Sequence, residues 1–181
     1  MARVRYVAPE ELSPENKDVI WRDRPIYRAL ANSLDGARAF NNLARWIRFK
    51  SRLDGRLREL VILQIGYVAA SPYEWAHHIE IGKEFGVTDS DIDALILESK
   101  GGTSALPAYE RALLAAAREM ENDHRVSDKT FAALREKLDD EGIVEFALFA
   151  SFYCAVVRVL ATLEIDLEPE LLPLLKRFPL H

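Results

Sequence analysis

Cysteine is nearly missing from this chain. One thiol, Cys154, in 181 residues excludes an intramolecular disulfide, a cysteine-rich metal cluster and any redox cycle needing two thiols, and it fits a reducing compartment. Glycine and proline are sparse, eight of each, which together with 49% hydrophobic residues argues against disorder. Positive charge is in deficit: the net charge of −5 attracts neither nucleic acid nor anionic lipid. Residues 1–11 lack the apolar run of a secretory signal, which makes the cytoplasm the default location. Sustained two-residue alternation is also missing, and the β-branched runs fall inside helical periods, so no strand is expected.

One segment tempts a membrane reading. Residues 146–163 carry a single charge, Arg158, over a length at the lower limit for a spanning helix. Glu145, Arg158 and Glu164 bracket and interrupt it, no basic flank sets an orientation, and the amphipathic helices elsewhere need an apolar partner. It reads as a central core helix or a subunit-interface helix, with no membrane.

What the chain has in abundance is helix punctuation. After an irregular lead-in over residues 1–12, Ser13-Pro14 offers an N-cap and a first-turn proline, Pro25 starts a short helix, and Asp35 can cap residues 36–50. Asp54 caps 55–70, where Leu57, Leu60, Val61, Leu63, Ile65 and Val68 leave little polar circumference, so this helix is buried on most sides. Ser71-Pro72 repeats the device for a helix to Phe85, ended by Gly86. Thr88 and Asp91 have the pattern of a capping box, Gly101-Gly102 break the chain, and three further helices follow: 107–121, one capped by Ser127, and a long one over 140–164. The expectation is an all-α fold of eight or so helices in a single domain spanning 1–181, without internal repeats or linkers.

At 100° per residue, the 72–85 helix sets Trp75, Ile79, Gly82 and Phe85 on one broad face with His78 within it. Ser71 projects in nearly the same direction, and Glu74 lies at the edge, one turn before His78. His77 falls about 100° further round with Tyr73, Glu80 and Glu84, the expected solvent side. On the preceding helix Glu59 shares a face with Ile62, Leu63 and Gly66. A carboxylic acid in apolar surroundings, with an imidazole across a tight helix–helix contact, is the material of a proton relay. Each residue also has a plainer reading: a hydrogen-bonded core histidine for His78, an ion pair with Arg56 for Glu59, an N-cap for Ser71, and a first-turn acid for Glu74.

The runs Arg56-Leu-Arg-Glu59-Leu-Val-Ile-Leu, Ser71-Pro-Tyr-Glu74-Trp-Ala-His-His78 and Gly86-Val-Thr-Asp-Ser-Asp-Ile92 resemble the carboxymuconolactone decarboxylase and alkylhydroperoxidase D family. The likeness extends more loosely to most of the chain, including 123–134 and the helix holding Tyr153. In the thiol-peroxidase branch of that family, a glutamate is followed twelve residues later by the first cysteine of a Cys-x-x-Cys pair, and a histidine follows the second by four. Glu59 and His78 occupy the flanking positions, while Ser71 and Glu74 stand where the cysteines would be. Peroxide reduction needs a thiolate and a resolving thiol, so this departure speaks against it.

The resemblance implies instead the decarboxylase side of the family, with an alkylhydroperoxidase D-like helical fold and homo-oligomers (dimer, trimer or hexamer). The implied activity is acid–base chemistry without metal or organic cofactor, a decarboxylation or isomerisation of a small unsaturated carboxylated lactone or related acid from aromatic breakdown. Proton transfer would fall to His78, Glu59 and Glu74. Substrate contacts would come from Ser71, Tyr73, Trp75 and His77, with Arg56 or Arg58 holding a carboxylate.

Two rival classes stand beside it. One is a non-catalytic helical oligomer binding a small apolar or aromatic ligand between walls made by Trp75, Phe85 and Tyr73. The other is a di-metal carboxylate site built from Glu74 with His77 and Glu121 with His124, completed by Glu59 and Glu145. Self-association is expected in each case, because helices as apolar as 55–70 and 145–164 exceed what one small bundle must cover.

Overall fold

A computed structural model describes residues 2–181; Met1, the first residue of the expected lead-in, lies outside the described residues. These residues form α1 (Pro25–Leu30), α2 (Leu34–Phe49), α3 (Gly55–Val68), α4 (Pro72–Glu84), α5 (Asp89–Ser99), α6 (Ala108–Asp123), α7 (Asp128–Arg135), α8 (Asp140–Leu163) and α9 (Leu172–Arg177). Short 3₁₀ segments occupy Pro9–Glu11, Pro14–Val19 and Pro169–Leu171, and no strand occurs among the described residues. The fold is all-α, as expected. Two compact units arise: residues up to Ser51 with Val159–Leu167, and Arg52–Arg158 with Glu168–His181.

In the first unit, Val7, Val19, Ala31 and Ala37 form a small core, and the buried Asn41 amide donates to the Val19 carbonyl at 2.9 Å. Two local expectations shift here. Ser13 makes no capping hydrogen bond and the segment after Pro14 closes as a 3₁₀ turn. At α2 the N-cap is Ser33, which moves Asp35 into the first turn, where the helix dipole favours an acid.

The second unit is built around α3. Asp54 caps it by accepting from the Arg56 and Leu57 amides at 3.0 and 3.2 Å, and every residue from Arg58 to Tyr67 is buried. Leu60, Leu63 and Tyr67 join Trp75, Ile79, Ile92, Leu95, Leu114 and Phe178 in one core, each fully buried aliphatic side chain adding roughly 1.5–3 kcal/mol. The helices α4, α5 and α6 pack on α3. Covering α3 therefore requires no second copy.

Glycine sets the approach of α3 to α4. A Cβ on Gly66 would lie 3.3 Å from the Trp75 amide nitrogen and 3.4 Å from the Glu74 side chain; one on Gly82 would lie 3.1 Å from Val87 and 3.6 Å from Glu59. With both ends of the contact free of side chains, Glu59 comes to stand opposite His78. Gly86, at φ +90°, then ends α4 in a conformation that other residues adopt only with strain.

Helix α8 is long and apolar enough to cross a membrane by length and composition alone, and 33% of its most apolar stretch is buried. Phe146 and Phe149 turn inward, whereas Val144 and Leu148 are 57% and 50% exposed. The core-helix expectation holds for one side of α8 only.

Candidate functional site

His78 is where the side chains of the central motif meet. Its Nδ1 lies 2.7 Å from Glu59 Oε2, and its Nε2 lies 3.2 Å from Glu74 Oε1. The second approach has an ion-pair distance without hydrogen-bond alignment, which leaves Glu74 Oε1 a buried carboxylate oxygen that accepts no hydrogen bond. The other oxygen of Glu59 accepts from Arg58 Nε and Nη2 at 3.2 and 3.1 Å, and the Arg58 guanidinium lies 4.6 Å over the Phe85 ring. From α8, Tyr153 meets the imidazole in a T-shaped contact with ring centroids 5.3 Å apart. All four ionisable groups are buried, His78 being the most open at 9%.

Burial disfavours a charged imidazole, yet the carboxylates of Glu74 and Glu59 outweigh it and raise His78 to about 9. For Glu59 burial again opposes charge, and the imidazolium followed by the Arg58 guanidinium wins, holding the carboxyl below its ordinary value. At neutral pH His78 is therefore an imidazolium with the ionised Glu59 on one nitrogen and Glu74 facing the other. Such a histidine is a loaded acid, and the bare Glu74 oxygen is a base within reach of it.

Residues 34–119, which hold Glu59, Ser71, Glu74 and His78, match the model of the Carboxymuconolactone decarboxylase family. This segment, just under half of the chain, is similar to that family. No match among curated proteins is found. Among solved structures, the alkylhydroperoxidase AhpD core protein of Ralstonia eutropha JMP134, described as an uncharacterized peroxidase-related protein, superposes with a TM-score of 0.77 at 19% identity, covering 94% of each chain. A variant of the debrominase Bmp8, in complex with 2,3,4-tribromopyrrole, superposes with a TM-score of 0.82 at 18% identity, covering 98% of each chain. An uncharacterized peroxidase-related protein from Silicibacter sp. TM1040 gives 0.64 at 18% identity, covering 79% of this chain and 75% of that one. At these identities the likeness is one of fold.

Several family-motif residues are placed differently from expectation. His77 does not face solvent: it is 6% exposed, its Nε2 lies 2.9 Å from Glu168 Oε2, and Tyr73 stacks on it with centroids 4.2 Å apart. The C-terminal tail packs on α4, and on the face that carries Tyr73 and His77 the later Glu80 and Glu84 stay exposed. Trp75 is no pocket wall, since it is fully buried and its indole N–H donates to the Phe178 carbonyl at 2.8 Å. Phe85 packs against Gly55 and carries Arg58. Ser71 is the N-cap of α4, accepting from the Glu74 amide at 3.5 Å.

Neither arginine is placed to hold a substrate carboxylate. Arg56 does not reach Glu59 but forms two pairs of hydrogen bonds, one to Asp91 and one to Glu110, the latter at 3.0 Å through both Nη atoms. Arg58 is 4% exposed and turned onto Glu59. That pairing had no signal in helix spacing, because adjacent residues point about 100° apart; the hint was that residue 58 interrupts an otherwise apolar circumference. Tyr153 and Glu168, both outside the matched segment, were not foreseen as neighbours of the two histidines.

The di-metal constellation is not assembled. Among the described residues no three His, Cys, Asp or Glu side chains converge as ligands, Glu121 pairs with Arg158 at 2.8 Å, and Glu145 accepts the Arg52 amide. Burial, then the neighbouring Glu121, pushes the Cys154 thiol up to about 12, far from a reactive thiolate.

Proposed function

We propose that this protein catalyses cofactor-independent proton transfer on a small unsaturated carboxylated lactone or related acid. The observation that carries the reading is the buried His78 imidazole held between Glu59 Oε2 and a Glu74 oxygen that accepts no hydrogen bond. Glu74 takes a proton from a carbon acidified by conjugation with the substrate carbonyl, and the electron pair moves into the extended enolate. The imidazolium N–H then protonates the far carbon, and the proton on Glu74 reloads His78 across 3.2 Å. Bonds and charges balance over the cycle without an outside acid or base. Glu59, held ionised by Arg58, keeps the imidazole basic enough to be reloaded.

This favours isomerisation over decarboxylation within the implied pair of reactions, because Arg56 and Arg58, the cations expected to hold a leaving carboxylate, are both spent on internal partners. The complex of Bmp8 with 2,3,4-tribromopyrrole supports a small planar unsaturated ring as the size of ligand suited to this fold. The test is incubation with a panel of unsaturated lactone carboxylates in deuterated water, following carbon-bound deuterium and released carbon dioxide. Wild type is expected to incorporate deuterium, and His78→Ala, Glu74→Gln and Glu59→Gln to lose about a hundredfold or more in rate. Wild type inert across the panel, or all three variants within threefold of it, refutes the reading.

A further inference from the structure

A cavity of about 240 Å³ opens beside α3 and α6, lined by Tyr67, Val68, Lys100, Arg118, Asn122 and His181 among others, and by none of the residues around His78. Its volume falls below the roughly 300 Å³ at which drug-sized sites begin, so any occupant is small.

Its polar groups are incompletely used. Tyr67 is 3% exposed, and its hydroxyl is buried without a hydrogen-bond partner. Buried hydroxyls are seldom left so. Burial raises the phenol above its ordinary value, which keeps it an O–H donor. Arg118 is partly buried, and its Nη1 donates to Gln64 Oε1 at 2.8 Å. Facing its Nη2 is Glu98, whose nearest oxygen stands 4.0 Å away while the other accepts the Ser104 amide. Burial lowers the Arg118 guanidinium further than Glu98 and Glu119 raise it, so it is short of countercharge. Lys100, at the rim, has no ion-pair partner among the described residues. Of the remaining walls Val68 is apolar, Ser99 and Asn122 are polar, and the His181 ring lies 5.1 Å from the Tyr67 ring.

We propose that this cavity is a second ligand site that binds a small organic carboxylate, its oxygens taken by Arg118, Lys100 and the Tyr67 hydroxyl and its planar body resting on Val68 and the His181 ring. A single carboxylate matches one guanidinium and one ammonium around a donor hydroxyl, and Val68 with the His181 ring gives the rest of the molecule a place that a bare inorganic anion would leave empty. The proposal is independent of the chemistry at His78.

The probe is benzoate, titrated into the full chain by NMR, with benzamide and inorganic phosphate as parallel arms. Benzoate is expected to shift the Tyr67 and His181 ring resonances saturably, with benzamide and phosphate each at least about fivefold weaker. Arg118→Gln and Tyr67→Phe each weaken benzoate about tenfold or more, as expected for losing a buried hydrogen bond to a charged group, and Lys100→Gln, an exposed rim charge, about threefold. His78→Ala leaves benzoate affinity unchanged, which separates this site from the relay. If Arg118→Gln fails to fold, the other two variants carry the test alone. Absence of saturable shifts, phosphate binding as tightly as benzoate, loss of binding in His78→Ala, or wild-type affinity in Lys100→Gln and Tyr67→Phe overturns the proposal.

Discussion

His77 and His78 are adjacent in sequence, both are buried, and each stands within hydrogen-bond distance of a glutamate, yet the two faces of α4 they occupy are built differently. The His78 face is closed by the neighbouring helix: Glu59 from α3 on one nitrogen, Glu74 one turn earlier facing the other, and Arg58 behind Glu59. The His77 face is closed by a tail residue, Glu168, with Tyr73 stacked on the ring. Burial and a glutamate partner are common to both, so neither marks a proton-transfer site. What separates them is a second carboxylate with an unfilled oxygen, which pulls the His78 imidazole up to about 9 and leaves a base beside the acid.

Swapping the damage between the faces is the strongest way to break that contrast. His78→Ala should lower the rate of carbon-bound deuterium exchange by about a hundredfold or more, whereas His77→Ala should stay within about threefold. Equal losses in steady-state assays would make the two histidines equivalent and remove the distinction drawn here.

Stability against pH sharpens the contrast next. The folded value of His78 lies above its unfolded 6.5, so its contribution is fully present below pH 6.5 and fades as pH rises toward about 9. Over that window the loss is on the order of 3 kcal/mol. Glu59 is shifted the other way, so its contribution is present above its unfolded 4.5 and fades as pH falls through its lower folded value. Urea midpoints should therefore fall from pH 6.5 to 9 in wild type and stay nearly level in His78→Gln. Parallel slopes in the two proteins would contradict the assignment.

Smaller effects follow from the packing. Gly66→Val forces a side chain against the Trp75 amide and Glu74, and should cost about 1–3 kcal/mol in chemical denaturation and slow the reaction while leaving the His77–Glu168 pair intact. Glu168→Gln, the mildest change, should cost about 1 kcal/mol, lowering the melting temperature by about 2–4 °C with turnover within twofold. A Glu168→Gln protein as slow as Glu59→Gln would show that the tail side takes part in the chemistry.

Much of this was written in short-range sequence. Asp54, Ser71-Pro72, Thr88 with Asp91, Gly86 and Ser127 mark helix ends where the structure has them, because a cap hydrogen bond joins groups two or three residues apart. The pairing of Glu59 with His78 was also foreseeable, since consecutive antiparallel helices joined at Ser71 must pack and each residue lies on the facing side. The sequence thus carried the all-α fold, most of the helix boundaries and the pairing of Glu59 with His78.

The roles of Arg56, Trp75 and His77 were not available in that way, because their partners are Asp91 and Glu110, Phe178, and Glu168, which stand 35 to 103 residues away. A helical wheel gives the direction of a side chain and says nothing of what arrives to cover it. Only the assembled core takes both arginines out of reach of a substrate, buries the outer histidine under the tail and leaves one Glu74 oxygen without a hydrogen bond. Those outcomes depend on which distant chain segment claims each polar atom once water is excluded.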